Sequence, residues 1–354
     1  MKLLIITQKV DINDDVLGFM HGWIAEFAKH CEKLTVICLQ KGEYDLPNNV
    51  KVLSLGKEFK IQNSKFKIFN SIKYLFRFYK YIWQERNSYD KIFVHMNPGY
   101  VVLGSVFWRL CKKKIGLWYT HKSVNLKLRI AEKFANVIFT ASKESFRLKS
   151  KKLKVMGHGI DIDKFENNKN KNNKIFKIIT VGRISPIKDY ETLINAIEII
   201  KYKDDLQVEI IGGPITQDDK KYLEKLKKIV VEKKMNNIIN FVGSVPNKNI
   251  VQYYNNADLS VNLCPTGGMD KAVLESMTCG VPVIAFNKTF VDVLKKYKDY
   301  LILNHKDVSE LAKKIAKIID LPKDKKENIQ KELREVIVEH HSLKKLIKNI
   351  MKMY

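Results

Sequence analysis

The chain has 354 residues, of which 45% are hydrophobic and 29% are charged, and its formal net charge is +26 at pH 7. This length is long for one hydrophobic core and comfortable for two. No apolar run approaches the roughly 18 residues of a membrane-spanning helix, and the N-terminal run is too short for a secretory signal. We therefore expect a cytoplasmic protein of globular composition with two domains.

The number and placement of the cysteines are consistent with a cytoplasmic protein. Their number is odd, and no two have the C-x2-C spacing of a metal site. Most of them lie in apolar segments, so we expect buried free thiols in a reducing environment. The five are Cys31, Cys38, Cys111, Cys264 and Cys279.

The positive charge is concentrated in one part of the first half. Residues 51–154 contain 24 Lys or Arg and 5 Asp or Glu. A localised basic surface indicates an anionic partner, such as a membrane surface or nucleic acid. The chain has no helix-turn-helix, zinc-finger or RNA-recognition signature, which argues against nucleic acid as the partner.

Short β-like runs alternate with amphipathic stretches through the first half. LLIIT (3–7) is typical of a buried parallel strand, and a helix is predicted over about 19–30. Further strands are predicted at 34–39, 50–55, 91–96, 114–120 and 136–142. This alternation predicts a parallel sheet covered by helices on both faces.

Residues 57–86 depart from this alternation. They contain eight Lys or Arg, two Glu and nine aromatic residues. A basic helix with Trp, Tyr and Phe is typical of the membrane interface. The alternative is a helix packed on the sheet, with its Lys and Arg side chains extended into solvent.

The composition changes near residue 165. ENNKNKNNK (166–174) is polar and of low complexity, as in a linker. Strands are then predicted at 176–182, 206–213, 237–243, 259–264 and 281–285, with a further β-like run at 300–304 and helices from about 308 onward.

We therefore predict an α/β fold with two Rossmann-like, doubly wound domains facing each other across a cleft. The first domain is predicted at 1–165, the linker at 166–174 and the second domain at 175–335. The remaining residues, 336–354, are predicted to form a C-terminal helix that packs back toward the first domain. Ligands of open parallel sheets bind at the carboxyl ends of the strands, so we expect the functional site there.

One segment of the second half has the pattern of an anion site. In residues 263–285, a strand end leads through Gly267 and Gly268 into a helix that begins near Asp270. A helix N-terminus presents free backbone N–H groups and the positive end of the helix dipole. This arrangement binds phosphate and similar anions.

Three charged residues extend this pattern toward a nucleotide. Arg183 and Lys188 follow the predicted strand at 176–182, where a guanidinium fork and an ammonium can clamp a diphosphate. Glu275 lies on the helix that follows the glycine turn, and its carboxylate can accept hydrogen bonds from ribose hydroxyls. The combination predicts a nucleotide diphosphate site.

At this point the second half resembles a known family. Its motifs, in order, are VGRISPIKDYETLINAI, IIGG, FVGSV, YYNNADLSVNL and DKAVLESMTCGVPVIA. They resemble the C-terminal domain of the family 4 retaining glycosyltransferases, which have the two-Rossmann GT-B architecture, and HGIDIDKF (158–165) resembles the segment just before that domain. The resemblance covers most of residues 155–290, and the first half is similar only in outline.

The resemblance implies roles for individual residues. As catalytic residues it implies His121, which would contact the donor sugar, and Arg183 and Lys188, which would stabilise the leaving diphosphate. Nucleotide and diphosphate contacts are implied for Gly182, Arg183, Lys188, Gly243, Ser244, Val245, Lys271, Ala272 and Glu275. Sugar contacts are implied for His121, Gly267, Gly268, Met269 and Asp270. On the acceptor side we expect Gly18 and His95, which follow or end predicted strands of the first domain.

The chain departs from the family pattern at one position. The family signature pairs two glutamates with seven residues between them. The second matches Glu275, whereas the first falls on Gly267, which has no carboxylate. Asp270 or backbone N–H groups would have to hold the sugar instead.

The resemblance implies a retaining glycosyltransferase that moves a sugar from a nucleotide-diphosphate sugar to a hydroxyl group. We expect the acceptor to be a glycan or a polyprenyl-linked lipid at the cytoplasmic membrane face. The resemblance also implies that no cofactor and no dedicated metal are needed, and the absence of a D-x-D motif at an expected strand end agrees with this. The alternatives are a nucleotide-sugar epimerase on the same scaffold and a basic nucleic-acid-binding protein.

Overall fold

The computed structural model describes residues 1–59, 67–167, 175–202, 205–265 and 267–354. The chain forms two compact units. The first unit consists of Met1–Gly159, Pro246–Lys248 and Leu343–Tyr354, and the second consists of Ile160–Val245 and Asn249–Ser342. Most of the linker predicted at 166–174 lies outside the described residues.

The first unit contains a parallel seven-stranded sheet. Its spatial order is β3-β2-β1-β4-β5-β6-β7. The strands are β1 (Lys2–Val10), β2 (Lys33–Lys41), β3 (Val50–Ser54), β4 (Lys91–His95), β5 (Lys114–Trp118), β6 (Val137–Thr140) and β7 (Leu153–Val155). The short edge strand β7 was not predicted, because Leu153–Val155 is only three residues long and mostly exposed.

Helices pack on both faces of this sheet. They are α1 (Phe19–Ala28), α2 (Lys67–Gln84), α3 (Pro98–Leu110) and α4 (Leu126–Phe134). Two separate clusters of buried side chains result, one containing α1 residues and the other containing residues of α2, α3 and α4. Central strands supply both clusters alternately, as Leu3 and Leu4 of β1 illustrate.

The basic segment predicted at 57–86 is in part a packed helix. Phe78 and Ile82 of α2 are buried in the core, whereas Phe76 and Trp83 are exposed. The helix therefore packs on the sheet, as one of the two predictions stated, while it keeps a second apolar face in solvent. Residues 60–66 lie outside the described residues.

The second unit contains a parallel five-stranded sheet with the order β10-β9-β8-β11-β12. Its strands are β8 (Phe176–Val181), β9 (Leu206–Ile211), β10 (Ile239–Gly243), β11 (Leu259–Asn262) and β12 (Val283–Ala285). Its helices are α5 (Tyr190–Ile200), α6 (Gln217–Glu232), α7 (Ile250–Asn255), α8 (Lys271–Thr278), α9 (Val291–Leu294), α10 (Lys298–Leu301), α11 (Val308–Ile319) and α12 (Lys323–His340).

The β-like run at 300–304 is not a strand. Lys298–Leu301 forms α10, and only Ile302 makes an isolated parallel bridge, to Ala285. The prediction failed because Leu301, Ile302 and Leu303 are buried, and a short buried apolar run does not distinguish helix from strand.

The C-terminal residues return to the first unit. The helix predicted over 336–354 is divided, because α12 continues to His340 and α13 begins at Leu343 and ends at Lys352. Leu343, Leu346, Ile347 and Ile350 are buried in the same cluster as α1. The Tyr354 hydroxyl donates a hydrogen bond of 2.7 Å to the Ile92 carbonyl of β4.

All five cysteines are free thiols, and three of them are buried. Burial raises the pKa of the Cys31 thiol to about 11 and that of Cys38 to about 12. These two thiols are therefore unreactive near neutral pH, because the thiolate is the nucleophilic form. None of the helices in the described part of the chain combines the length and apolarity needed to cross a bilayer.

We expect Ile347→Ala to destabilise the first unit by about 2–5 kcal/mol, because it removes a fully buried side chain from the contact between α13 and the core. The four tryptophans of the chain, Trp23, Trp83, Trp108 and Trp118, all lie in the first unit, so tryptophan fluorescence during denaturant unfolding reports on this unit alone. The exposed Lys348 of the same helix provides the control Lys348→Ala, with an expected change below about 0.5 kcal/mol. Equal stabilities of the two variants would contradict the packing of α13.

Candidate functional site

A glycine lies at the carboxyl end of each of three neighbouring strands of the second unit. Gly182 follows β8, Gly212 follows β9, and Gly243 ends β10. The Gly182 N–H donates to the Ile211 carbonyl at 2.9 Å, and the Gly212 N–H donates to the Gly243 carbonyl at 2.8 Å. The carboxyl edge of this sheet is therefore lined by backbone without side chains, which a ligand can approach closely.

Gly212 has the tightest surroundings of these glycines. Its φ is +141°, and a Cβ at this position would lie 2.0 Å from the Gly182 carbonyl oxygen. Gly243 also has a positive φ, +86°, but no atom lies within 4 Å of the position that its Cβ would take. Gly182 and Gly243 were predicted as site residues, whereas Gly212 entered the sequence analysis only within the IIGG motif.

Lys188 is held at this edge by an ion pair. It ends a short 3-10 helix, Pro186–Lys188, and its Nζ lies 2.5 Å from Oδ2 of Asp270. Burial alone would lower the pKa of Lys188, but the neighbouring Asp270 carboxylate more than offsets this effect and the pKa is raised. Both partners are therefore charged at neutral pH. Arg183, between Gly182 and this turn, is exposed to solvent.

Asp270 makes further hydrogen bonds besides this ion pair. Oδ2 also accepts from Asn262 Nδ2 at 3.1 Å, and Oδ1 accepts from the Ala272 N–H at 3.3 Å, which makes Asp270 the N-cap of α8. Burial would raise the pKa of this carboxyl, but Lys188, Asn262 and Ala272 lower it. The helix start predicted near Asp270 is thus observed, and both oxygens of this predicted sugar-binding residue already accept hydrogen bonds.

The glycine turn before α8 is fixed by a residue that the sequence analysis missed. Asn287 is 1% exposed, and its Nδ2 donates to the Gly268 carbonyl at 2.8 Å. Its Oδ1 accepts from the Thr289 N–H at 3.0 Å, which caps a short helical turn. An Asn just beyond a strand was the available signal, but only the fold brings it to Gly268. Met269, also predicted, packs against the core of the second unit.

Glu275 of α8 lies within a group of ionisable side chains that also contains Lys271 and Lys164. Burial raises the pKa of its carboxyl, and the neighbouring cations Lys271 and Lys164 oppose that rise. Burial lowers the pKa of Lys271 to about 7, with Glu275 opposing, and burial also lowers the pKa of Lys164. Lys164 was not among the predicted site residues, because nothing in the sequence indicates that HGIDIDKF lies beside α8.

Three predicted site residues, His121, His95 and Gly18, belong to the first unit, whereas Ser244, Val245 and Gly267 belong to the second. His121 follows β5 in an exposed loop, where its Nδ1 accepts from the Ser123 N–H at 3.1 Å. His95 is 3% exposed and lies 3.4 Å from the Thr7 hydroxyl, beside the ring of Trp23. A Cβ on Gly18, just before α1, would lie 2.4 Å from the Asp14 carbonyl oxygen.

Within the described residues, no group of three or more His, Cys, Asp or Glu side chains is arranged to hold a metal ion. The groups that the structure shows at the site include Arg and Lys cations, a helix N-terminus capped by Asp270, and glycine backbone. These groups bind anions.

We expect Gly212→Ala to lower the thermal stability of the protein more than Gly243→Ala does. Both substitutions place alanine at a positive φ, which costs roughly 1–2 kcal/mol, but only the alanine at 212 would also overlap the Gly182 carbonyl. Scanning calorimetry of both variants measures the difference. Equal losses would show that the loops after β8 and β9 are not in close contact.

The lowered pKa of Lys271 predicts a pH-dependent stability. Between pH 7 and 10.5 the unfolded chain binds a proton that the folded chain has released, so the contribution of Lys271 to the free energy of unfolding increases as the pH rises through this window. Lys271→Met lacks this contribution. We therefore expect the melting temperature of the unsubstituted protein to increase, relative to that of Lys271→Met, between pH 7 and pH 10. A constant difference across this range would refute the burial of the Lys271 ammonium.

The second unit matches a known family. Residues 161–336 match the family model described as Glycosyl transferases group 1. Among curated proteins, a D-inositol 3-phosphate glycosyltransferase of Thermomonospora curvata is 26% identical over 115 residues, which are 31% of this chain and 26% of that protein. Protein CapJ of Staphylococcus aureus is 30% identical over 185 residues, which are 51% of this chain and 44% of that protein. The matched segments thus span less than half the length of these two relatives.

Solved structures are similar over nearly the whole chain. The structure of Anabaena Alr3699/HepE in complex with UDP and glucose has a TM-score of 0.75 and 17% sequence identity, and the match covers 99% of this chain and 98% of that one. This similarity confirms the predicted fold of two Rossmann-like α/β domains, and the family match covers the predicted second domain, 175–335. Residues 161–336 are therefore similar to the group 1 glycosyltransferases.

Proposed function

We propose that the protein is a retaining glycosyltransferase that uses a nucleotide-diphosphate sugar as donor. The observation that carries this proposal is the arrangement of Arg183, the Lys188–Asp270 ion pair and the N-terminus of α8 at one sheet edge. A diphosphate placed there would meet the Arg183 and Lys188 cations and the positive end of the α8 helix dipole, which stabilise the negative charge that develops when the sugar leaves.

The remaining predicted residues of the second unit complete the donor site in this proposal. Glu275 would accept hydrogen bonds from the ribose, and the backbone of Gly243, Ser244 and Val245 would contact the base. Gly267, Gly268 and Met269 would contact the sugar through main-chain groups, since the Asp270 carboxylate already binds Lys188, Asn262 and the Ala272 N–H.

We further propose that the acceptor is a hydroxyl group of a glycan or of a polyprenyl-linked lipid at the cytoplasmic membrane face. The acceptor hydroxyl would be the nucleophile. His121 would contact the donor sugar, and Gly18 and His95 would lie toward the acceptor. The acid-poor, basic segment 51–154 supports the membrane part of this proposal, because anionic lipids attract such a surface.

The first donor to test is UDP-glucose, because a further Anabaena Alr3699/HepE structure contains it. In a thermal-shift panel of nucleotide sugars, the donor should raise the melting temperature, with a stabilisation of about 2.7 kcal/mol at a concentration of 100 Kd. Arg183→Ala should abolish this shift, and Arg183→Lys should retain part of it, since a point charge replaces the planar fork. The exposed Lys228 of the same unit provides the control Lys228→Ala, which should shift like the unsubstituted protein.

An equal shift in Arg183→Ala would contradict the diphosphate assignment. A product whose anomeric configuration is inverted relative to the donor, as seen by NMR, would contradict retention. Conversion of the donor to a stereoisomer without an acceptor would identify an epimerase instead.

A further inference from the structure

The first unit carries an exposed apolar surface formed by two helices. On α2 the exposed side chains are Ile72, Leu75, Phe76, Tyr79 and Trp83, and on α3 they are Leu103, Val106 and Leu110. The steps 72, 76, 79, 83 and 103, 106, 110 follow the helical repeat, so each set forms one stripe along its helix. We call these eight side chains the α2–α3 surface. Phe76 is 70% exposed and Leu110 is 79% exposed.

The two stripes are joined to each other. The Tyr79 hydroxyl donates a hydrogen bond of 3.0 Å to the Leu103 carbonyl. The rings of Trp83 and Phe107 lie 5.8 Å apart, centre to centre. Because contacts between α2 and α3 connect them, the stripes form one continuous surface. Contiguous exposed apolar surfaces of this kind mark interaction sites.

The α2–α3 surface is separate from the faces by which α2 and α3 pack in the core of the first unit. Phe78 and Ile82, which lie about a third of a turn around α2 from this stripe, are each 1% exposed and already pack in the core of the first unit. Tyr100 and Trp108 anchor α3 in the same way. Each helix thus has two apolar faces, of which one is used for folding and the other faces solvent.

The charged residues of α2, α3 and the neighbouring helix α4 are almost all positive. Helices α2, α3 and α4 contain eight Lys or Arg residues and one acidic residue, Glu132. The exposed cations on these helices are Lys73, Lys80, Arg109, Lys127, Arg129 and Lys133. In addition, the Arg86 guanidinium lies 4.5 Å from the centre of the Trp83 ring. The surface is therefore complementary to a partner that is both apolar and anionic.

We propose that the α2–α3 surface docks on the headgroup region of an anionic lipid bilayer. Its aromatic and aliphatic side chains would enter the boundary between headgroups and acyl chains, while the surrounding Lys and Arg would bind lipid phosphates. Tyr79 and Trp83 suit this depth, because their rings are apolar bodies with a polar group. The inference rests on the proposed function only in that a lipid-linked acceptor would bring the enzyme to such a surface.

Trp83 provides a direct measurement of this docking. It is 58% exposed, whereas Trp23, Trp108 and Trp118 are each at most 1% exposed. A change in the emission of the full-length protein on addition of vesicles therefore reports on Trp83. We expect a blue shift and protection from acrylamide with vesicles of phosphatidylcholine and phosphatidylglycerol. Trp83→Phe should still sediment with these vesicles but lose the spectral change.

Two sets of variants separate the apolar and the electrostatic contributions. The triple variant Ile72→Ser, Phe76→Ser, Leu110→Ser should lose vesicle binding. Its matched control, Ile199→Ser, Tyr202→Ser, Val231→Ser, changes equally exposed apolar residues of the second unit and should bind normally.

The electrostatic contribution is tested by a second triple variant, Lys73→Gln, Lys80→Gln, Arg109→Gln. It should bind vesicles about 100-fold more weakly, at roughly fivefold per cation. Lys228→Gln, Lys313→Gln, Lys331→Gln, at exposed cations of the second unit, should bind as the unsubstituted protein does.

Equal vesicle binding by the triple variant Ile72→Ser, Phe76→Ser, Leu110→Ser and by its matched control would overturn the proposal, and so would an unchanged Trp83 emission spectrum on bound vesicles. A third contrary result is a dimer in solution that the triple variant dissociates, while vesicles bind neither the unsubstituted protein nor the variant. Vesicle binding is measured without donor or acceptor, and the donor thermal shift is measured without lipid. Failure of the docking surface is therefore distinguishable from failure of the proposed glycosyl transfer.

Discussion

The ion pair between Lys188 and Asp270 determines the arrangement of the candidate site. It joins the loop after β8 to the start of α8, and both side chains are largely removed from water, with 17% and 22% of their surface exposed. Burial disfavours each charge taken singly, so each carries its charge because the other is present. Asn262 and the Ala272 N–H bind the carboxylate further. Loss of either partner would leave a buried charge without compensation, which costs far more than an exposed ion pair contributes.

This pair also has a consequence for the proposed chemistry. Because Asp270 positions Lys188 without any ligand, the ammonium does not need to be ordered when a diphosphate arrives. The same pairing engages the carboxylate of Asp270, three residues after Gly267, the position where the family signature has a glutamate. Recognition of the sugar would then depend on main-chain groups of the turn that Asn287 holds by the Gly268 carbonyl. A main-chain group can recognise the position of a sugar hydroxyl, and it leaves more space around that hydroxyl than a glutamate side chain would.

The sequence was most informative where local chemistry determines the structure. The strand that ends at Val181, just before Gly182, and the helix start at Asp270 follow from alternating runs, glycine turns and a capping side chain, which are properties of neighbouring residues. The run at 300–304 was wrongly predicted as a strand. Its residues are apolar because they are buried, and so short an apolar run has no periodicity that distinguishes a strand from a helix. Asn287 and Lys164 were missed because their partners are 19 and more than 100 residues away in the chain, and no pattern in one sequence encodes such a contact.

The path of the chain through the two units constrains how the protein folds. The second unit is inserted between Gly159 and Leu343 of the first, and its own ends are joined, since the Ile160 N–H donates to the His341 carbonyl at 2.8 Å and Ile160 bridges Ser342. Once the second unit has folded, its joined ends bring the start of α13 close to Gly159, where the Leu346 side chain lies beside the Gly159 backbone. The loop that must close to complete the first core then shrinks from more than 180 residues to a few, and the effective concentration of α13 at its binding site rises accordingly. The first unit to be synthesised is thus the last to be completed, and docking of its final helix is favoured once the second unit has folded.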